Sequence, residues 1–209
     1  MNERPIKGRG PASIGHAPVA VAVDANGHLF VTGSGTGGAT QVELIAGEAH
    51  IGEVSTIPPI DIVVTPTITA GAYTAGDAIG GILEFADVAR IAGSGGRITK
   101  VVVTDDAQQL APIDLVFFNQ TFTPTADNSP FDPSDADLQN CIGHIVVAAT
   151  DYSSYNDNAS AVKCSGLTMP LYYDLATGGT SLFAQCVIRS APTYIATDDL
   201  TIKITVERF

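Results

Sequence analysis

From residue 60 onward, short β-prone runs alternate with turn clusters. This rhythm constrains the fold more than any other feature of the chain. The runs cover 61–69, 78–85, 97–105, 113–119, 144–149, 161–169, 182–189 and 200–208. Between them lie clusters rich in Gly, Asn, Asp and Ser, at 69–76, 92–96, 151–158 and 176–179. In 200–206, Ile202, Ile204 and Val206 alternate with Thr201, Lys203 and Thr205. That period of two puts one apolar edge on a core and one polar edge in water. About eight short strands with these spacings predict an all-β fold, an antiparallel β-sandwich of jelly-roll type.

One short helix is expected after Phe131. Asp132 has the chemistry of an N-cap, Pro133 suits the first helical position, and Asp135 and Asp137 complement the positive helix end. Gly143 is the expected stop. A second helical piece is expected over 84–91. Apolar residues make up 45% of the chain and charged residues 15%, so a real core is available. A domain of about 150 residues buries roughly 68–70% of its unfolded surface, and it should stand without metal or disulfide.

Residues 1–59 follow a different grammar, so two regions are expected: an extended N-terminal arm, 1–59, and a β-sandwich domain, 60–209. The arm contains the run Gly33-Ser34-Gly35-Thr36-Gly37-Gly38 and only short β-prone pieces. Asn26-Gly27 is a type I′ turn signal, which predicts a hairpin between 17–24 and 28–32. A lone hairpin is marginal in water, so the arm is expected to gain order by lying on a partner, with packing on its own domain as the alternative. Extended, it would reach up to roughly 180–200 Å. Pro58-Pro59 forms a stiff hinge.

The net charge of −12 repels phosphate backbones and argues against nucleic acid as a partner. No apolar run is long enough for a membrane helix, and the Met1–Gly10 stretch lacks a following apolar core, so neither a membrane partner nor a signal peptide is expected. Cys141, Cys164 and Cys186 are isolated; they read as buried free thiols, with one disulfide plus a spare thiol as the alternative.

Chemistry-bearing motifs are sparse. Gly33-Ser34-Gly35 and Gly93-Ser94-Gly95-Gly96 lack the spacing and following helix of a nucleophile elbow, and no phosphate loop is present. His16, His28, His50 and His144 show no zinc spacing. The carboxylates and amides of 127–137 have the oxygen chemistry that Ca²⁺ favours, but Pro130 and Pro133 and the missing Gly work against wrapping a cation. The 151–158 segment reads as a solvated loop. No catalytic, cofactor-binding or metal residue is assigned, and an enzyme is not expected.

Several stretches carry a resemblance. They are 64–81 (Val64-Thr65-Pro66 through Ile79-Gly80-Gly81), 111–119 with 121–128, Phe131-Asp132-Pro133-Ser134-Asp135-Ala136-Asp137-Leu138, Gly179-Thr180-Ser181-Leu182-Phe183, and Ala49-His50-Ile51-Gly52-Glu53-Val54. From 49 to 209 the chain resembles tailed-bacteriophage virion structural proteins. It departs from them at Ser55-Thr56-Ile57-Pro58-Pro59, where a Gly-rich link would be expected. The resemblance implies a virion component without catalysis, similar to capsid decoration (cement) proteins. Such a protein is made in the host cytoplasm and sits on the capsid exterior as a homotrimer, stapling the major capsid protein through its arm. Two alternatives stay open. One is a neck, collar or tail component of the same virion. The other is a host-glycan-binding sandwich that uses Tyr152/Tyr155 or Tyr172/Tyr173.

Overall fold

The computed structural model describes residues 58–209, together with the backbone of two short strands ahead of them. The chain divides into two units, Met1–Ser55 and Thr56–Phe209. In the first, β1 (Ala20–Val23) pairs antiparallel with β2 (Leu29–Thr32), from Ala20 opposite Thr32 to Val23 opposite Leu29. This is the pairing expected of the hairpin. The Asn26-Gly27 turn, the Gly33–Gly38 run, the extended course of the arm and His16, His28 and His50 lie outside the described residues.

The second unit is an antiparallel β-sandwich. Its strands are β3 (Ile60–Val64), β4 (Ala78–Phe85), β5 (Gly95–Asp105), β6 (Ile113–Phe118), β7 (Cys141–Val147), β8 (Tyr152–Ser154), β9 (Ala159–Lys163), β10 (Leu171–Asp174), β11 (Leu182–Ile188) and β12 (Leu200–Arg208). One sheet runs β3-β12-β5-β9-β8, with β10 also on β5; the other runs β4-β11-β6-β7. The pairing is nested. First strand meets last (β3 with β12), second meets second-last (β4 with β11), and β6 meets β7 at the centre. Between these, β5 meets β9 over Val101–Asp105 and β10 over Gly95–Ile98. Rolled into two sheets, this nested ribbon is a jelly roll.

The core fills the space between the sheets. Ile98, Val101, Val103, Ile202, Ile204 and Val206 come from one side, and Ile79, Phe85, Leu115, Phe117, Ile145 and Cys186 from the other. The alternation expected along β12 is present, with Ile202, Ile204 and Val206 wholly buried. Along β5 it is broken by a bulge opposite Thr205/Val206, which lets Ile98 and Val101, three residues apart, both face inward.

The four-stranded sheet is covered on its outer side as well. The β6–β7 connection crosses it and stacks Phe122 on Phe118, ring centroids 4.0 Å apart. Gln185 on β11 pins that segment: Thr125 N donates to its Oε1 at 3.0 Å, and its Nε2 donates to Thr125 O at 2.6 Å and Gly80 O at 3.1 Å. Asp127 adds a second pin, accepting from Tyr73 OH at 2.8 Å and Gly80 N at 2.6 Å. β6 and β11 are therefore buried on both faces over most of their length rather than on alternate residues.

Three expectations are corrected. The helix is a single turn, α1 (Asp135–Leu138), capped by Ser134 rather than Asp132: Asp137 N donates to Ser134 Oγ at 3.1 Å. It ends early because Cys141 is already paired with Phe118, so Gly143 lies inside β7 beside a bulge, not at a helix end. No helix forms over 84–91: Glu84 and Phe85 finish β4, and Asp87 takes a left-handed φ of 59°. The runs 61–69 and 161–169 also stop short, at Val64 and Lys163. Among the described residues, no helix is long and apolar enough to cross a membrane.

Candidate functional site

In the nested fold, the connections following β4, β6 and β10 lie at one end of the sandwich, beside the end of β12. Two adjoining clefts open there. The first, about 390 Å³, is lined by Ile142, Tyr172, Tyr173, Asp174, Asn119 and Phe209, with Gly96 beneath. The second, about 450 Å³, is lined by Gln120, Thr121, Thr177, Thr180 and Ser181, by Gly178 and Gly179, and by the apolar Ala176 and Phe183. Asn119 belongs to both.

Strand geometry explains how the tyrosines are used. Neighbouring residues on β10 point to opposite faces. Tyr173 goes inward and donates its hydroxyl to Val88 O at 2.7 Å; burial pushes that hydroxyl's pKa up, to about 12. Tyr172 goes outward and is 58% exposed. Its hydroxyl accepts from Arg97 Nη1 at 3.3 Å, and Arg97 is itself held by Glu207, with Nε to Oε2 at 2.9 Å. The ring is thus fixed from behind. At Gly95, a Cβ would fall 2.4 Å from Asp174 Oδ1 and 2.3 Å from Tyr173 O; at Gly96 it would fall 2.4 Å from Glu207 O. Only glycines let β10 and the 207–209 segment close over this part of β5.

Asn119 is tied at its backbone. Its N donates to Asn140 O at 3.1 Å, and its O accepts from Ala176 N at 3.2 Å. Its side-chain Oδ1, by contrast, is buried without a hydrogen-bond partner.

The other residues singled out from sequence do not converge. Tyr152 is half-buried with its hydroxyl enclosed and unpartnered, while Tyr155 is exposed at the β8–β9 turn, where its N donates to Asn158 O at 2.8 Å. The 127–137 stretch disperses: Asp127 pins the connection to β4, whereas Asp137 accepts from Ser134 Oγ at 2.8 Å. Among the described residues, no three His, Cys, Asp or Glu side chains gather to hold a metal. Ser94 sits in a turn before β5, its Oγ 3.4 Å from Phe209 O. His144 is exposed on β7. Cys141, Cys164 and Cys186 are free thiols, but only Cys186 is buried and Cys164 is exposed, which corrects the expectation that all three are buried.

A polar cluster near the opposite end was not legible in the sequence. Asp105 is wholly buried at the end of β5; its Oδ2 accepts from Leu110 N at 2.8 Å, and its Oδ1 has no partner. The hydroxyl of Tyr194 is likewise enclosed and unpartnered. Burial pushes the Asp105 carboxyl above the usual range, and Asp199 adds to the push. Nothing in the local residue pattern separates Asp105 from a strand-end carboxylate in water. No protein-family model matches this chain, and no curated protein matches it.

Proposed function

We propose that this chain is a non-enzymatic structural protein of a tailed-bacteriophage virion, a decoration (cement) protein on the capsid exterior. In this reading residues 1–59 bind the major capsid protein and residues 60–209 form the exposed knob of a homotrimer. The observation that carries the proposal is the division of the chain. Thr56–Phe209 closes two sheets around a core of its own, as a unit distinct from Met1–Ser55. A sandwich that completes its own core leaves the first unit free of any role in filling it. The likeness of 49–209 to tailed-phage virion proteins supports the same reading.

The physics of anchoring is favourable. Backbone groups of a short ribbon can add strands to a neighbour's sheet edge, and three anchors on one trimer turn weak contacts into high avidity. The charge of −12 suits an outer surface better than one facing packaged DNA. The test is to add the full chain, or a form lacking residues 1–59, to capsids that lack this protein. The full chain is expected to bind in a copy number comparable with the major capsid protein, and the truncated form not to bind. Equal binding by the truncated form would overturn the anchor. A copy number fitting one neck or tail ring would overturn the capsid location.

A further inference from the structure

We propose that the two adjoining clefts at the 119–121 and 174–181 connections form one binding trough for a neutral oligosaccharide. The inference is independent of the shell-binding reading. It concerns the sandwich alone and holds whatever residues 1–59 contact.

Size and shape come first. The clefts, about 390 and 450 Å³, each fall within the span of about 300–1,000 Å³ usual for small-molecule sites. Both are lined by Asn119, so a ligand long enough to pass that residue would occupy both. The trough sets rings beside hydroxyls along its length. At one end stand the exposed rings of Tyr172 and Phe209, 58% and 60% accessible. At the other stand the hydroxyls of Thr121, Thr177 and Thr180 beside the ring of Phe183. A pyranose has the matching halves: a face of C–H groups that packs on an aromatic ring, and a rim of hydroxyls that seeks amides, carboxylates and other hydroxyls.

Charge narrows the ligand class. No Lys, Arg or His lines either cleft, and Asp174 does. With a net charge of −12 behind it, the trough repels phosphate, sulfate and carboxylate groups. A neutral chain meets no such barrier.

Two details mark the trough as prepared for a ligand. Tyr172 sits on a strand and is braced by Arg97 and Glu207, so little side-chain freedom is lost on stacking. Asn119, at the junction, has both backbone groups engaged while its side-chain Oδ1 is buried without a partner. A carbonyl left in that state is costly. A ligand hydroxyl that reaches this oxygen by displacing the packing over it would donate to it.

The test is amide chemical-shift titration of the full-length protein with neutral hexasaccharides of the malto, cello, chito and manno series. Polygalacturonate and heparin hexamers serve as anionic counterparts. At least one neutral series is expected to shift the amides of Asn119, Tyr172 and Asp174, and the anionic hexamers are not. Tyr172→Ala is expected to weaken that binding by about tenfold or more, as for a packed aromatic anchor. Thr177→Arg, at an exposed position that leaves the core intact, should block the trough. No shift with any neutral series, equal binding of the anionic hexamers, or binding indifferent to both substitutions would each overturn the proposal.

Discussion

Asp105 shows how far one side chain's behaviour depends on its surroundings. Its carboxyl is wholly buried with one oxygen unpartnered, near the enclosed hydroxyls of Tyr152 and Tyr194. Burial raises the pKa of both hydroxyls, and the charge of Asp105 raises them further. Because the pKa of Asp105 itself is higher folded than unfolded, its favourable contribution is fully present below the ordinary carboxylate value. That contribution is lost as pH rises through the folded value. Toward neutral pH the buried carboxyl therefore costs the fold stability. Asp105→Asn keeps an acceptor for Leu110 N and removes that charge. Urea midpoints are expected to be higher for the variant than for the natural chain at about pH 7.5, and the difference to shrink as pH falls toward the ordinary carboxylate value, about 4. A variant less stable at the higher pH would show that the charge is compensated. The oligosaccharide trough is a residue-scale case of the same kind. Tyr172 was legible as an exposed-tyrosine candidate, but Asn119, at the end of an apolar run, gave no signal.

The β6–β7 connection decides more than any single strand. It hides the outer side of the four-stranded sheet, and its anchor is a buried glutamine. Gln185→Ala leaves Thr125 N and two carbonyls short of partners. A cost of about 2–3 kcal/mol is expected in denaturant unfolding, in the range for buried groups left unpaired. Amide exchange should accelerate over 122–131 while β5 and β12 stay protected. Uniform acceleration across both sheets would mean that the connection is integral to the core. Element by element, β4 and β12 were the most legible and keep their expected limits. β8 and β10 were not anticipated. Tyr152-Ser153-Ser154 is polar enough to read as loop, and Leu171–Asp174 is too short to show a period. Both become strands because β9 and β5 offer them open edges. The helix was overestimated for the converse reason: pairing of β7 with β6 claims residues that local propensity would leave helical.

At the scale of the whole molecule, the nested pairing closes the described residues of Thr56–Phe209 into one compact unit. Residues 56–209 expressed alone are expected to unfold in one cooperative step. The urea midpoint should lie close to that of the full chain, read by near-ultraviolet circular dichroism; failure to fold would show that the first unit completes the core. What the sequence by itself determined is local. Side-chain alternation set which runs become strands and which face turns inward, and turn chemistry set where most of them end. The tertiary structure alone decided the rest: that β3 closes on β12, that β5 serves two partners along one edge, and that a loop buries the second side of a sheet. It also decided that Asn119 meets the 172–181 segment. These depend on contacts between residues far apart in the chain. The energy of such contacts comes from shared burial and open hydrogen-bonding edges, which no short window of residues contains.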